Sequence, residues 1–320
     1  MINNPSNRSV TLHISACLFL FLFSFILSDY HQLIITRIMI LSIFALGYNV
    51  LFGYAGLLSL GHALFFACGF YAAGLPIYHL GWEVPFAFLF AIAISAVVAT
   101  LIGAIALRTH GVAFMIVTLM FSQVAYLTTL HFSDITGGDE GLVLPEHARS
   151  FEIIGVQFDL TSPQTRYYIA LGLLSVSVLA VYRWVNGGLG REWVAVRENE
   201  SRTRMLGYNT FLIKLKAMII SGTLSGGAGA AYALMFAYIG STFASIQYSI
   251  DALLYTLLGG AGTVLGPILG SFIMFYLIDF FSEYTTAYLL ATGVILILLM
   301  LFFPLGVLGT LKKKWFHWIP

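Results

Sequence analysis

Long apolar runs separated by short polar gaps dominate this sequence. A helix needs roughly 20 apolar residues to cross a hydrocarbon layer about 30 Å thick, and most runs approach that length. Lipid offers no hydrogen-bonding partners to open strand edges, so helices are expected throughout. The runs predict membrane spans near 12–28, 33–52, 63–81, 84–107, 111–131, 166–185, 215–239 and 285–304, with a further long apolar stretch at 249–281.

The composition agrees with lipid as the main solvent. Hydrophobic residues make up 59% of the 320 residues, charged residues make up 9%, and the mean hydropathy is +0.92. A soluble domain usually carries about 25% charged residues. We therefore expect an all-α integral membrane protein, a single transmembrane domain over 1–320 with about eight spanning helices.

The first apolar run could be a cleaved signal peptide or a retained anchor. Arg8 precedes the apolar stretch from Leu12 to Leu27, as in a signal peptide. The residues that follow the stretch do not form a small-residue cleavage site. A retained helix is therefore the favoured prediction.

Loop charges predict the orientation. Basic residues are concentrated in the loop 183–216 and in the run Lys312–Lys314. The positive-inside rule places both in the cytoplasm. The segment 132–165 is acidic, so we place it outside. The chain is then predicted to be a multi-pass protein of the inner (plasma) membrane with both termini in the cytoplasm.

Counting the crossings constrains the stretch 249–281. The span 215–239 leaves the cytoplasm and the span 285–304 returns to it, so the stretch between them must begin and end outside. It is long enough for a re-entrant hairpin that turns at a glycine-rich break. A single full crossing, with an error elsewhere in the count, is the alternative.

Two segments are too rich in glycine for ordinary spans, namely Gly47–His62 and Leu258–Gly270. Non-helical backbone inside a membrane persists only where protein or a water-filled cavity covers it, and paired interrupted spans, as in inverted-repeat transporters, indicate a solute path. Close packing of helices through small residues explains the same spacing equally well. The candidates for a solute path or gate are Asn49, Gly53, Gly56, Ser59, Gly61, His62, Asp251, Gly259, Gly260 and Gly262.

Two of these candidates are ionisable, His62 and Asp251. An ionisable residue within a span is a functional candidate by default. Each could instead cap a half-helix or bond a carbonyl group that the helix has freed. A direct role in solute binding and a structural role both stay open for them.

Several function classes are disfavoured. A net charge of +1 argues against a nucleic-acid-binding surface. The sequence contains no phosphate-loop motif and no serine-hydrolase elbow, and its cysteines, Cys17 and Cys68, have no zinc-like spacing. Neither a metal site nor an enzyme activity is expected, which leaves transport or a structural role in the membrane.

The basic loop contains a predicted helix–turn–helix over 190–209. Val194, Val196, Met205 and Leu206 give it one apolar side, and the glycine at 207 suits a helix stop. Such an amphipathic element could dock in a groove of another protein, or it could be a solvated connector.

Three blocks, in this order and spacing, resemble the permease subunits of branched-chain amino acid ABC importers, the LivM-like branch. The resemblance covers nearly the whole chain. The blocks are Gly53–His62 continuing to Gly69; Arg108–Leu119 with Thr136–Leu142; and Gly190–Gly207 with Leu258–Pro267.

The resemblance implies a transport subunit that forms the solute path by alternating access. It implies a second homologous permease, cytoplasmic ATP-binding subunits that bind ATP and magnesium, and a periplasmic or extracellular solute-binding protein; the chain itself would need no cofactor. The loop 186–214 would be the coupling loop that contacts the ATPase, with Arg197, Glu198, Glu200 and Gly207 as its candidate residues, and the outer segment would dock the binding protein through Thr136, Gly137, Gly138 and Gly141.

This sequence departs from the family pattern in one place. Arg202 and Thr203 replace the small alanines that usually follow the coupling glutamate. The solute also stays open, because permeases of urea and amide importers are closely similar. An ion-coupled secondary transporter is a further alternative, since broken helices suit it equally.

Overall fold

The computed structural model describes residues 20–22, 24–25, 27–153 and 155–314, so most of the predicted span 12–28 lies outside the described residues. The helices in chain order are α1 (Asp29–Asn49), continued by a π-helical turn over Val50–Tyr54, α2 (Ala63–Leu80), α3 (Val84–Ala106), α4 (Val112–His131), α5 (Ser133–Thr136), α6 (Pro163–Val185), α7 (Gly188–Met205), α8 (Thr210–Phe236), α9 (Ile246–Gly259), α10 (Gly266–Tyr284), α11 (Tyr288–Phe302) and α12 (Gly306–Lys314).

Seven helices of the described chain are long and apolar enough to cross a membrane. They are α1 with its π turn, α2, α3, α4, α6, α8 and α10. Six of them coincide with predicted spans to within a few residues, and α11 occupies the last predicted span but is shorter. The all-α membrane architecture expected from the hydrophobic pattern is confirmed.

The apolar stretch 249–281 forms two helices with a turn at 260–265 between them. Thr256 of α9 donates a hydrogen bond to the Ala45 carbonyl, whereas Ser271 of α10 lies 2.6 Å from Ser42, nearer the start of α1. The two helices therefore run in opposite directions along α1. The predicted break is observed, and the re-entrant course of the pair through the membrane stays a prediction.

α1 and α8 form the centre of the bundle. α1 packs against α6, α8, α9 and α10, and α8 packs against α1, α2 and α3. Small residues allow α2 and α8 to touch, because a side chain at Gly69 would overlap the Gly226 carbonyl. Close approach of backbones through small residues is the usual mode of helix association in lipid.

Four short strands lie in the segments that connect the helices. β1 (Leu142–Val143) pairs antiparallel with β4 (Tyr238–Ile239), with Leu142 opposite Ile239. β2 (Ser150–Ile153) and β3 (Val156–Asp159) form an antiparallel hairpin. The acidic segment 132–165 is therefore a small folded unit joined to the end of α8.

The connections define two opposite ends of the bundle. We call the end that carries the four strands the ribbon face. The opposite end, which carries α7, the turn 260–265 and the start of α12, is called the coupling face. There Gly306 packs directly on Gly260. The basic loop and the C-terminal helix thus share one face, as the charge pattern predicts.

Candidate solute path and coupling interface

α1 does not end cleanly but unwinds over the first glycine segment. Its last turn widens into a π helix at Val50–Tyr54, and helical structure resumes only at Ala63. Gly56 has a φ of 72°, a left-handed conformation that favours glycine. The unwound backbone is nevertheless satisfied: the Tyr48 hydroxyl donates to the Ser59 carbonyl at 3.0 Å, and the Ser59 hydroxyl accepts from Gly61 N–H at 3.3 Å.

Asn49 joins the two glycine segments. Its Oδ1 accepts a hydrogen bond from the Gly262 N–H at 2.9 Å, and its Nδ2 donates to the Thr263 carbonyl at 2.9 Å. The side chain is fully buried. Because buried backbone groups need partners, this single amide holds the end of α1 and the turn 260–265 in register.

Arg197 extends this connection to the coupling face. Its Nη1 donates a hydrogen bond to the Gly53 carbonyl, and its Nη2 lies 3.0 Å from Glu198 Oε1. A side chain at Gly56 would meet the Arg197 Cγ at 2.5 Å. Gly56 is needed for Arg197 to lie against the unwound backbone, whereas a side chain at Gly53 would overlap the Asn49 amide; α7 is thus in direct contact with the broken end of α1.

His62 lies in the core beside the unwound segment. Its Nε2 is 2.7 Å from the Ser225 hydroxyl, and the ring stacks on Phe44 and meets Tyr48 edge-on. The residue has no exposed surface. In this conformation of the chain, His62 contacts α1 and α8 rather than any open space.

The second glycine segment has a different character. Side chains at Gly259 and Gly270 would overlap the carbonyls of Gly266 and Tyr255, so these glycines permit α9 and α10 to pack closely. Gly260 and Gly262 have φ values of 123° and 75° and form the turn itself. The sequence left two explanations open for these glycines, a solute path and close helix packing. Close packing of α9 against α10 accounts for Gly259.

Asp251 lies on α9, half-buried, and accepts a 3.3 Å hydrogen bond from the Gln247 amide. Arg37, inside the predicted span 33–52, is an ionisable residue that the list of candidates from the sequence does not include. The signal was available, because any ionisable residue in a span is a functional candidate. A guanidinium at such a position costs roughly 2.5–3.5 kcal/mol on insertion scales.

α7 is bent at Asn199, whose φ and ψ of −161° and 96° interrupt the helix. The predicted helix stop is observed, because α7 ends at Met205 and Gly207 has a φ of 90°. Asn209 then caps α8 through a 3.1 Å bond from the Leu212 N–H.

The predicted single apolar side of this loop is wrong. Trp193 and Val196 are buried, whereas Met205 and Leu206 are among the most exposed apolar side chains. The bend at Asn199 rotates the second half of the helix, so the pattern expected for a straight amphipathic helix does not hold.

Glu200 links α7 to α8. Its carboxylate lies 2.5 Å from the buried Lys214 Nζ and 3.5 Å from Arg204. Burial alone would raise the pKa of Glu200, but the hydrogen bond and charge of Lys214 outweigh it and hold the pKa below its ordinary value. The carboxylate is therefore ionised and paired at neutral pH.

On the ribbon face, Thr136 begins a glycine-rich loop. Its hydroxyl bonds the Phe132 carbonyl at 2.9 Å and accepts from Gly138 N–H at 3.2 Å. Gly137, Gly138 and Gly141 all have left-handed backbones. A side chain at Gly141 would meet the Tyr238 hydroxyl at 2.8 Å, so this loop lies against β4.

A wholly apolar cleft of about 290 Å³ lies away from these residues, lined mainly by α3, α6 and α8. None of the predicted site residues lines it. We assign it no part in the path, because it offers no polar group to a hydrophilic solute.

The protein family described as "Branched-chain amino acid transport system / permease component" matches residues 31–304 of this chain. The chain is 31% identical over 306 residues to the high-affinity branched-chain amino acid transport system permease protein LivM of Salmonella typhimurium, covering 88% of this chain and 70% of that protein. The Escherichia coli LivM is 30% identical with the same coverage.

A second kind of relative covers the chain at lower identity. LivH of Escherichia coli, also a high-affinity branched-chain amino acid transport system permease protein, is 22% identical over 282 residues, covering 84% of this chain and 91% of that protein. A comparison with solved structures gave no match.

Proposed function

Because this chain belongs to the family of branched-chain amino acid transport permease components, we propose that it is the membrane permease subunit of an ATP-driven importer for branched-chain amino acids. The family match and the multi-pass helical fold support the proposal. The urea, amide and ion-coupled alternatives receive no support from the relatives that the chain matches.

The importer would need partners that supply energy and solute. The sequence has no phosphate loop, so ATP and magnesium would be bound by separate ATP-binding subunits. A second permease would complete the solute path, and a binding protein would deliver the solute. With the basic loop in the cytoplasm, the coupling face would meet the ATP-binding subunits and the ribbon face would meet the binding protein.

The observation that carries the mechanism is the contact of Arg197 with the Gly53 carbonyl. Movement of α7 would pull on the unwound end of α1, and Asn49 would pass that movement to the turn at Gly262. Gly56, Ser59 and the rest of the unwound segment would then gate the path.

The energy required is within reach of nucleotide binding. Moving a two-state equilibrium from 1:99 to 99:1 takes about 5.5 kcal/mol of differential affinity. The ATP-binding subunits would have to bind ATP more tightly in one arrangement of the permeases, since a ligand shifts an equilibrium only by that difference.

Thr136, Gly137, Gly138 and Gly141 would form the contact with the binding protein. The loop they form is attached to β4 and hence to the end of α8. Docking there would therefore act on a helix that also reaches the coupling face through Lys214.

Reconstitution tests the proposal. The chain is purified with a second permease, ATP-binding subunits and a binding protein, and leucine uptake into proteoliposomes is measured with ATP, without ATP, and with an imposed proton or sodium gradient. Uptake should follow ATP. Uptake that follows only the ion gradient would overturn the ATP-driven assignment, and uptake of urea in place of leucine would overturn the solute assignment.

A further inference from the structure

Arg37 is anomalous within α1. It lies eight residues, or about 12 Å, beyond Asp29 at the start of the helix. Arg37 is the one exposed residue between Gln32 and Leu51, and nearly every other side chain of this stretch is buried. The guanidinium of this central helix is therefore exposed at the surface of the bundle, and the gap between α8 and α10 in which it is exposed is called the opening.

Two aromatic rings flank the opening. The Arg37 Cζ lies 5.1 Å from the centroid of Phe236, at the end of α8, and 5.9 Å from that of Phe275 on α10. These are cation–π distances. The rings hold the guanidinium between α8 and α10, and no hydrogen-bond acceptor for its N–H groups is found among the described residues.

No carboxylate pairs with Arg37 among the described residues. The ion pairs of the described chain all involve α7 or the start of α8, at the coupling face: Arg197–Glu198, Arg204–Glu200, Lys214–Glu200 and Lys216–Glu192. An arginine inside a span that has no internal counterion is available to an external anion.

A carboxylate, that of Asp251, lies on the neighbouring helix α9. Thr256 of α9 bonds to Ala45 of α1, so residues at the same level of these two helices differ by 211 in number. The same offset brings Tyr248 to the level of Arg37, since 37 and 211 give 248, and Asp251 lies one turn further along α9.

Asp251 is also without a cation within 4.0 Å among the described residues. Its one hydrogen bond, from Gln247, is long at 3.3 Å. The opening thus has an exposed guanidinium without an ionic partner among the described residues, and a half-buried carboxylate that also lacks one lies about one turn further along the adjacent helix.

We infer that Arg37 and Asp251 form a relay site for a zwitterionic amino acid, in which Arg37 holds the α-carboxylate and Asp251 the α-ammonium group. Arginine matches a carboxylate by two parallel hydrogen bonds, which makes it the suited partner for this group. Apolar flanks at Phe236 and Phe275 would accept an aliphatic side chain. This inference rests on the proposed function and narrows its solute, because urea carries neither charge.

The test uses the complete importer in proteoliposomes with the native binding protein. Arg37→Gln and Asp251→Asn should each lower the maximal rate of ATP-driven leucine uptake by at least about tenfold, the loss expected for a charge-assisted hydrogen bond. The concentration of binding protein that gives half-maximal uptake should not change, since docking occurs at the ribbon face. Arg37→Lys should restore part of the rate, because it keeps the charge.

Matched controls lie at exposed positions. Asp29→Asn, on the same helix as Arg37, and Arg183→Gln, at the end of α6, remove a charge away from the opening and should leave uptake within about twofold of wild type. Membrane abundance and assembly with the second permease are measured for every variant.

The outcomes are distinct. Wild-type uptake that does not depend on ATP rejects the proposed function itself. Normal uptake by both Arg37→Gln and Asp251→Asn rejects the relay site and leaves the proposed function intact; Arg37 then only extends toward the lipid surface. Loss of the second permease from Arg37→Gln also rejects the site, since Arg37 would then be a subunit contact.

Discussion

The two glycine segments have similar composition, but their glycines serve different structures. Gly47–His62 is the unwound end of a helix, and its freed backbone groups bond to the side chains of Tyr48, Ser59 and Arg197. Leu258–Gly270 is a turn between two closely packed helices, in which Gly259 and Gly270 are small because backbones touch them. Glycine content alone does not separate an unwound helix end from a turn between packed helices; the hydrogen-bond partners of the backbone do.

The largest expected effect tests the packing role of the second segment. Gly259→Val would force a side chain into the Gly266 carbonyl, so we expect α9 and α10 to separate and the protein to lose about 3 kcal/mol of stability. Thermal unfolding in detergent and membrane abundance measure this. Gly172→Ala, an exposed helical glycine in open space, is the control and should gain up to about 1 kcal/mol. A stable Gly259→Val protein that loses only transport would remove the distinction between the segments.

A smaller effect is expected where the two segments meet. Asn49→Leu removes two hydrogen bonds of the turn and leaves the half-buried Gly262 N–H and the carbonyl of the buried Thr263 without these partners. The expected cost is about 2 kcal/mol, measured by thermal unfolding. Asn186→Leu, an exposed amide at the end of α6, should cost less than about 0.5 kcal/mol. Equal stabilities of the two variants would show that the segments are held together by other contacts.

The first segment should respond in function more than in stability. Arg197→Gln loses the contact with the Gly53 carbonyl at a partly exposed position, so the fold should persist. Leucine uptake should fall about tenfold or more while basal ATP hydrolysis continues. Arg191→Gln, an exposed position on the same helix, is the comparison. Parallel loss of uptake and hydrolysis in Arg197→Gln would indicate that the ATPase is detached rather than uncoupled.

The smallest effect concerns the ion pair of Glu200 and Lys214. The pKa of Glu200 is lowered in the folded protein, so its stabilisation is present above the ordinary carboxyl pKa and is lost as pH falls through the depressed value. Because Glu200 is 30% exposed, we expect about 1 kcal/mol or less at neutral pH. Thermal unfolding of wild type and Glu200→Gln between about pH 7 and about pH 3 should show the difference disappearing in acid.

The double variant Glu200→Gln/Lys214→Met controls for the buried ammonium group left behind by the single change. Its stability should lie closer to wild type than that of Glu200→Gln. A difference between wild type and Glu200→Gln that grows in acid would contradict the lowered pKa.

Hydrophobic pattern alone predicted most of the fold. Span boundaries such as 84–107 agree closely with α3 because lipid imposes length and apolarity on each crossing. The turn at Gly260 and the helix stop at Gly207 were also predictable, since both need left-handed or glycine-only backbones.

The site could be predicted only in part. Asn49 was named as a candidate, but its partners at Gly262 and Thr263 are more than 200 residues away, and no local pattern encodes such a pairing. The charge pattern predicts orientation from the loops alone, and Arg37 lies inside a span, where this pattern does not apply. The bend at Asn199 has no sequence signal, so the exposure of Met205 could not be foreseen.

One consequence follows from the length of α8. Its 27 residues form a rod about 40 Å long. At one end, α8 is joined to α7 by the ion pair of Lys214. At the other end, it continues into β4, which pairs with Leu142. Because an α-helix is stiff along its axis, a displacement of either end of α8 would also move the other end. In the proposed importer, arrival of solute at the ribbon face and the nucleotide state at the coupling face would therefore act on the same helix.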